Sequence, residues 1–246
     1  MNVLFKIKSY AVTFLRFFYS LISGGETCLV CGKTSYLTPL CSNCRKLYFV
    51  SDALKVNRCK CCGKELISEK ELCMECRDSP VLKSTDKMIP LFSYRLWNKE
   101  LLFMWKIQGL RALSYFFAGL VSKALKELQI EYIVPVPPRP GKIKKNGWDQ
   151  IDELCKILKF HYGFKLLSLL ERTSSTQQKK LNREERLSTI QSAYVLSEKV
   201  YEVLPSELCI IDDVCTTGST IETCAHIIKV NTTVKKVYAM TLFAVG

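Results

Sequence analysis

Two adjacent acids and the hydroxyl-rich loop that follows them are the residues of this sequence best suited to chemistry. Residues 208–211 form an apolar run that leads into Asp212 and Asp213. The loop residues are Thr216, Thr217, Gly218, Ser219 and Thr220. Residues 221–228 then have the composition of a helix. The stretch therefore predicts a strand, a tight loop and a helix N-terminus.

Each part of this stretch suits a phosphorylated sugar. Backbone N–H groups of a glycine-containing loop can point at an anion, and the following helix adds the positive end of its dipole. Asp212 and Asp213 offer only acceptors at the carboxyl end of a strand, and vicinal ribose hydroxyls are neighbouring donors. The residue types indicate a ribose 5-phosphate group held at both ends. The alternative is a buried strand and a capped helix without a ligand.

A second group of reactive residues lies near the N-terminus, where nine of the 13 cysteines fall between Cys28 and Cys76. An internal repeat gives each of two copies a Cys-x-x-Cys-Gly turn and a later Cys-x-x-Cys pair, which together can enclose one zinc ion in four sulfurs. The repeat predicts two structural zinc sites: Cys28, Cys31, Cys41 and Cys44, and Cys59, Cys62, Cys73 and Cys76. Cys61 is the spare cysteine. A crossed arrangement, in which corresponding pairs of the two copies share an ion, is the alternative.

These cysteines also bear on the compartment. Paired Cys-x-x-Cys spacing without a cleavable secretory signal indicates metal binding in a reducing compartment rather than disulfides, so we expect a cytoplasmic protein. Residues 1–23 are aromatic and apolar, but Lys6, Lys8 and Arg16 interrupt them, so no run is long enough to span a membrane. We expect an amphipathic helix there, with contact to a membrane surface as the alternative.

Basic residues dominate both the composition and one loop. The 36 Lys and Arg exceed the 23 Asp and Glu, and the net charge of +13 favours polyanionic partners such as nucleic acid. Prolines must end the strand predicted from residue 130 near Val134–Val136. The loop that follows presents Arg139, Lys142, Lys144 and Lys145. Cations at this end of a sheet suit a pyrophosphate group, and a plain basic turn is the alternative.

Alternating strand and helix patterns predict an α/β fold with a doubly wound, mostly parallel sheet. The predicted helices are 99–107, 112–128, 150–160 and 221–228, and the predicted strands are 91–94, 130–136, 165–170, 193–196, 208–213 and 235–244. Residues 171–186 have the length of an active-site lid. The expected domains are an N-terminal amphipathic helix at 1–23, a double zinc ribbon at 24–80 and the α/β domain at 88–246.

Residues 208–220 resemble the phosphoribosyl pyrophosphate (PRPP) signature of type I phosphoribosyltransferases. The order of an apolar run, two aspartates, an apolar residue, any residue and Thr-Thr-Gly-Ser-Thr matches almost completely. The resemblance implies that Asp212 and Asp213 hold the ribose hydroxyls and that Thr216–Thr220 hold the 5-phosphate. It also implies Mg²⁺ bridging the pyrophosphate and the ribose hydroxyls. If the chain turns over, it is a phosphoribosyltransferase.

The order of all these parts resembles the ComF family over about residues 20–244. The matching residues are Lys106, Val134–Pro137, Gly147–Gln150, Arg172, Gln178, Leu181, Arg186 and Asp212–Thr220. The chain departs from the family pattern at Asn146, where an Arg is usual, and at Thr189, where an Asn is usual. With the basic loop, the resemblance predicts a pyrophosphate site at Lys106, Arg139, Lys142, Arg172 and Arg186.

The resemblance implies a role in DNA uptake during natural transformation, in which the protein handles incoming single-stranded DNA beside a helicase and processing proteins of the competence machinery. One alternative is a metabolic phosphoribosyltransferase that acts on a nucleobase or an amine. Another is a non-catalytic, zinc-dependent DNA-binding module. No pattern in the sequence identifies a catalytic residue or the acceptor.

Overall fold

The computed structural model describes residues 14–15, 18–20, 22, 24–36, 38–49, 57–68, 71–80, 82–94, 96–173, 193–199 and 201–245. The strands are β1 (Glu26–Thr27), β2 (Thr34–Ser35), β3 (Lys87–Ser93), β4 (Tyr132–Pro135), β5 (Lys165–Leu166), β6 (Leu170–Arg172), β7 (Tyr194–Leu196), β8 (Glu207–Cys215) and β9 (Lys236–Ala244). The helices with defined bounds are α1 (Ser42–Tyr48), α2 (Met74–Asp78), α3 (Leu96–Lys106), α4 (Ala112–Glu127), α5 (Lys142–Asn146), α6 (Gln150–Tyr162) and α7 (Ser219–Asn231).

A five-stranded parallel sheet with the strand order β3-β9-β8-β4-β5 forms the centre of the fold. After its first residue, Glu207, the central strand β8 has four consecutive buried apolar residues, Leu208–Ile211, as expected for a strand covered on both faces. Cys209 and Ile211 pack with α4 and α6, whereas Leu208 and Ile210 pack with α7. The predicted α/β class with a parallel sheet is confirmed.

The connections leave a crevice at one place on this sheet. The chain continues from β4 to β5 on one side, and from β8 to β9 on the other. Helices α6 and α7, which make these two connections, pack on opposite faces. The carboxyl ends of β4 and β8 therefore flank the topological switch point, where ligands bind in open α/β sheets.

Apart from small shifts at the ends of elements, four predictions differ from the structure, and the first is the strand predicted at 91–94, which spans Lys87–Ser93 as β3. The predicted strand 165–170 is divided into β5 and β6, because Ser168 donates its backbone N–H to the Tyr201 hydroxyl instead of continuing the ladder. Strand β6 pairs with β7 in a separate antiparallel sheet. Strand β8 continues through the acids to Cys215, because β9 pairs with it up to Ala244. A short helix, α5, occupies part of the predicted basic loop.

The N-terminal segment and the predicted lid are described only in part. Residues 14–15, 18–20 and 22 are helical, the rest of 1–23 lies outside the described residues, and the amphipathic helix over 1–23 stays a prediction. Residues 174–192, which include Gln178, Leu181, Arg186 and Thr189, also lie outside them. No helix in the described part of the chain is long and apolar enough to cross a membrane.

The cysteine-rich region packs around the edge strand β3. Phe49, just after α1, contacts the rings of Phe92 and Phe116 edge-to-face at centroid distances of 5.3 and 5.0 Å. The second copy of the repeat brings Gly63 against Pro90, which has no N–H to offer at the edge. The first copy joins the core on the α4 face and the second joins the core on the α7 face. Together they cover an edge that would otherwise be open to pairing.

The segment that joins this region to the sheet is held by α7. Glu222, in the first turn of α7, accepts hydrogen bonds from the backbone N–H groups of Ser84 and Thr85 at 2.6 and 3.2 Å. Asp86 accepts from the backbone N–H of Val237 and pairs with Lys229, both at 2.7 Å. The connection is therefore fixed next to the helix that follows the hydroxyl-rich loop.

The packing of Gly63 on Pro90 leads to a stability prediction. Both Gly63 and its repeat counterpart Gly32 have a positive φ, but a Cβ at Gly63 would lie 2.5 Å from Pro90 Cδ, whereas at Gly32 it would meet nothing within 4 Å. Both Gly→Ala variants carry the backbone strain, and only Gly63→Ala adds a clash. We expect Gly63→Ala to lower the free energy of unfolding by about 1–3 kcal/mol more than Gly32→Ala. Urea unfolding of the zinc-loaded proteins measures this, and equal losses would contradict the packing.

Candidate functional site

The acid pair lies at the switch point near the end of β8. The carboxylate of Asp213 is almost fully buried, and its Oδ2 lies 2.6 Å from Lys106 Nζ at the C-terminal end of α3. The same oxygen accepts a hydrogen bond of 2.7 Å from the amide Nε2 of Gln150, the first residue of α6. Strand β8 and two helices therefore meet at one oxygen atom.

Lys142 of the basic loop joins the same network. Its Nζ lies 2.5 Å from Asp149 Oδ2 and 2.5 Å from Gln150 Oε1. The other oxygen of Asp149 caps α6 by accepting from the N–H groups of Ile151 and Asp152 at 2.9 and 3.0 Å. The predicted anion-binding residues Lys106 and Lys142 are thus both paired with acids in this structure.

The two aspartates at this crevice differ in the positive charge that is available to each of them. Burial, together with the neighbouring negative charge of Asp213, raises the pKa of Asp212 to about 8, while Lys106 opposes the shift. Burial by itself would lower the pKa of Lys106, but Asp213 and Asp212 outweigh that effect and raise it. Lys106 is therefore held charged against Asp213. Asp212, which accepts from the backbone N–H of Asp213 at 2.8 Å, has no such cation to itself among the described residues.

The hydroxyl-rich loop leads into α7 as the sequence predicts. Gly218 has φ +77° and precedes the first residue of the helix, so a residue with a side chain would be strained there. Thr217 Oγ1 and Ser219 Oγ lie 2.9 Å apart, and Thr216 and Thr217 are exposed. The first N–H groups of a helix have no partners within it, so this end of α7 can receive an anion.

Two further predicted cations, Arg139 and Arg172, lie apart from this network. The guanidinium of Arg172 stacks 5.2 Å from the ring of Tyr194, and its buried Nε has no hydrogen-bond partner in the described part of the chain. Burial raises the pKa of Tyr194 to about 12, although Arg172 and the Thr220 hydroxyl oppose the shift. Arg172 and Tyr194 therefore stand beside the hydroxyl-rich loop. Arg139 is exposed in the basic loop, and Arg186 is outside the described residues.

Sequence reasoning missed the roles of Asp149 and Gln150. Both belong to the stretch that matched the ComF pattern, but neither was assigned a contact. One available signal was an Asp directly before an amphipathic helix, which is typical of an N-cap. Nothing in the sequence could show that the amide after the cap reaches Asp213, because 63 residues separate the two.

The eight cysteines form the two groups that the repeat predicts and not the crossed arrangement. In each group the four Sγ atoms lie within 4.8 Å of one another. The two turns have the same hydrogen-bond pattern. The backbone N–H of Cys28 donates to the carbonyl of Lys33, and that of Cys59 donates to the carbonyl of Lys64, both at 2.8 Å. Cys41 and Cys73 stand just before α1 and α2. Cys61 is not in either group and packs its Sγ against the backbone of Leu82 at 3.3 Å.

The cysteine groups fit a zinc ion chemically. Burial disfavours the thiolate of Cys28, but backbone N–H groups of Cys41, Cys31 and Val30 point at the sulfur and lower its pKa to about 6. Cys59 follows the same pattern, and its pKa is lowered to about 7 against the effect of burial. A group of four cysteine sulfurs that includes an easily ionised thiol and no carboxylate ligand is typical of a structural zinc site.

The fold and these sites define an α/β protein with a parallel sheet and an N-terminal region of two four-cysteine groups. The chain is similar to Competence protein ComFC of Streptococcus pneumoniae, with 27% identity over 208 residues that cover 79% of this chain and 89% of that protein. It is also similar to Competence protein F of Haemophilus influenzae, with 26% identity over 200 residues that cover 77% of this chain and 84% of that protein. No family model matches the chain. The two relatives confirm the predicted resemblance to the ComF family.

The cysteine geometry leads to a prediction about metal content. We expect the purified protein to hold two zinc ions per chain. Cys62→Ser removes a sulfur from the second group and should reduce the content to one ion, with unfolding of that copy of the repeat. Its neighbour Cys61 lies outside the group, so Cys61→Ser should keep both ions. Metal analysis of the two variants decides this, and loss of an ion from Cys61→Ser would contradict the assignment.

Proposed function

We propose that this protein binds PRPP with Mg²⁺ in the crevice between the carboxyl ends of β4 and β8 and that it acts in DNA uptake. The observation that supports this most directly is the acid pair beside the loop that begins α7, at the switch point of a parallel sheet. Asp212 and Asp213 accept from the ribose hydroxyls, and Thr216–Thr220 hold the 5-phosphate. Two structural zinc ions, one in each cysteine group, stabilise the N-terminal region.

Cations of the loops hold the pyrophosphate in this proposal. When bound, Mg²⁺ would neutralise part of the negative charge of the pyrophosphate. Lys106, Lys142, Arg139, Arg172 and Arg186 are the protein's candidates for the same anion. Lys106 is paired with Asp213 and Lys142 with Asp149, so the ligand must compete for both lysines. Arg139 is exposed and has no ion pair among the described residues.

The names of the relatives support a role in competence, and the charge of the basic loop supports single-stranded DNA as a partner. Between Val136 and Trp148 the sequence contains Arg139, Lys142, Lys144 and Lys145 but no acid. Lys144 and Lys145 are exposed on α5 and form no ion pair with any described residue. This surface lies at the carboxyl ends of the strands, the same end of the sheet as the acid pair. A DNA strand bound there would run past the PRPP pocket, in the cytoplasm and beside other competence proteins.

The same pocket could also serve a metabolic phosphoribosyltransferase that uses a nucleobase or an amine. Such an enzyme would release pyrophosphate when its nucleobase or amine acceptor is present, because the ribosyl group is transferred to that acceptor, and it would not need DNA. Release that depends on single-stranded DNA would favour the role in DNA uptake. A pyrophosphate assay with a panel of nucleobases and amines, with and without DNA, therefore separates the two functions.

Calorimetric titration of the zinc-loaded protein with PRPP and Mg²⁺ tests the pocket itself. We expect saturable binding, and Asp212→Asn combined with Asp213→Asn should weaken it by at least about 100-fold, because charged acceptors of two hydroxyls are lost. Asp152→Asn, a nearby change in α6 outside the network, should leave the affinity unchanged. Equal binding by the double variant would refute the site, and no binding by the unchanged protein would refute the function.

A salt series tests the DNA surface. If phosphates contact Lys144 and Lys145, then Lys144→Ala combined with Lys145→Ala should weaken binding of single-stranded DNA and reduce the slope of log affinity against log salt by about 1.4. Lys87 and Lys236 are exposed at the opposite end of the sheet, so replacing both with Ala is a control with the same charge change. We expect the control slope to match that of the unchanged protein. Equal losses in the two double variants would show that only net charge matters.

A further inference from the structure

The amide of Gln150 is buried and uses both of its ends. Its Nε2 donates to Asp213 Oδ2 at 2.7 Å, and its Oε1 accepts from Lys142 Nζ at 2.5 Å. Only the NH₂ end can donate to a carboxylate and only the carbonyl oxygen can accept from an ammonium, so the two partners fix the orientation of the amide. Gln150 therefore lies between the basic loop and the acid pair, in contact with both.

The network is anchored on its other side by a helix N-terminus. Asp149 accepts from Lys142 with Oδ2 while its Oδ1 caps α6, so the position of Lys142 is tied to the first turn of the helix that carries Gln150. Lys142 begins α5, the helix whose exposed lysines form the basic surface. The ammonium group of Lys142 therefore connects α5 directly to the side chain of Gln150.

The two carboxylate oxygens of Asp213 have different surroundings: one is bound by protein groups, and the other is available to a ligand in the proposed function. Oδ2 accepts from both Lys106 and Gln150, which come from different elements and prevent the carboxylate from rotating. Its Oδ1 has no hydrogen-bond partner among the described residues. Among the described residues, nothing competes with a ligand donor for this second oxygen, and the contacts at Oδ2 hold it in a single direction.

We propose that Gln150 is a positioning residue for sugar binding: it aims Asp213 at a ribose hydroxyl, and Lys142 acts on ribose binding through it. This rests on the proposed function and extends it to residues with no assigned role. An amide suits this place because it supplies a donor to Asp213 and an acceptor to Lys142 without adding charge. A carboxylate there would repel Asp213, and a cation would compete with Lys142.

Ribose 5-phosphate and inorganic pyrophosphate separate this role from a general structural one. Ribose 5-phosphate contains the hydroxyls and the 5-phosphate, whereas pyrophosphate contains neither sugar nor hydroxyl. We expect Gln150→Glu, which keeps the shape but replaces the donor with an acid, to weaken binding of ribose 5-phosphate by about 10- to 100-fold. Gln150→Ala should weaken it by a similar or smaller factor. Gln150→Ala should bind pyrophosphate at least as tightly as the unchanged protein, because it removes one acceptor from Lys142 without adding charge.

A double-mutant cycle tests the path from Lys142. If Lys142 acts on the ribose through Gln150, the loss of ribose 5-phosphate affinity in Lys142→Met with Gln150→Ala should be less than the product of the two single losses. Lys156→Ala, on the exposed side of α6, is the control and should change neither affinity. Melting temperatures of all the variants show whether they remain folded.

The outcomes separate the two proposals. If the unchanged protein binds neither PRPP nor ribose 5-phosphate, the proposed function fails and this inference fails with it. If it binds them and Gln150→Glu binds ribose 5-phosphate equally well, only the positioning role is overturned. A uniform loss for ribose 5-phosphate and pyrophosphate, together with a lower melting temperature, would also overturn it, because that pattern indicates a structural role. Selective loss with a non-additive cycle supports it.

Discussion

Three acids close together at the carboxyl edge of one sheet impose the constraint on which the rest of this site depends. An ionised carboxylate withdrawn from water costs several kcal/mol unless cations or N–H donors reach it. Asp149 and Asp213 are buried, and their donors come from α3, α5 and α6. The C-terminal end of α3, the first residue of α5 and the first turn of α6 must therefore converge on the end of β8. Strand pairing brings β8 to the centre, and this charge requirement determines what surrounds its end.

The cysteine-rich region solves a different problem at the edge of the sheet. So short a segment has few apolar residues with which to build a core of its own, and an ion held by each of its two four-cysteine groups would replace that core. In return the region packs on the edge strand β3, with Phe49 against Phe92 and Gly63 against Pro90. The segment that leaves this region is held by Glu222 in the first turn of α7, which accepts hydrogen bonds from the backbone of Ser84 and Thr85. The cysteine-rich region is thus attached by a few hydrogen bonds to the helix that follows the hydroxyl-rich loop.

Local patterns predicted the parts of this molecule whose causes are local. The grouping of the cysteines follows from their spacing, and the strand, loop and helix around Gly218 follow from residue types within a short stretch. The sequence did not predict the division of the 165–170 strand, since the Tyr201 hydroxyl that captures the Ser168 N–H lies far along the chain. It also missed α5, because a five-residue helix between glycines leaves almost no periodicity to detect. Nor could it show which acid each lysine would meet, since that depends on how helices pack.

The two aspartates of the motif are neighbours in sequence but are not equivalent in this site. Asp213 already has Lys106 and Gln150, so its charge is stabilised before any ligand arrives. Asp212 has the pKa of about 8 that burial and the neighbouring negative charges produce, so it retains a proton over much of the neutral range. Hydrogen-bond donors or positive charge brought to Asp212 by a ligand favour its ionised form, and binding is then linked to loss of that proton. Within the acid pair, Asp213 is thus the pre-positioned acceptor, and Asp212 is the group whose protonation state the ligand can change.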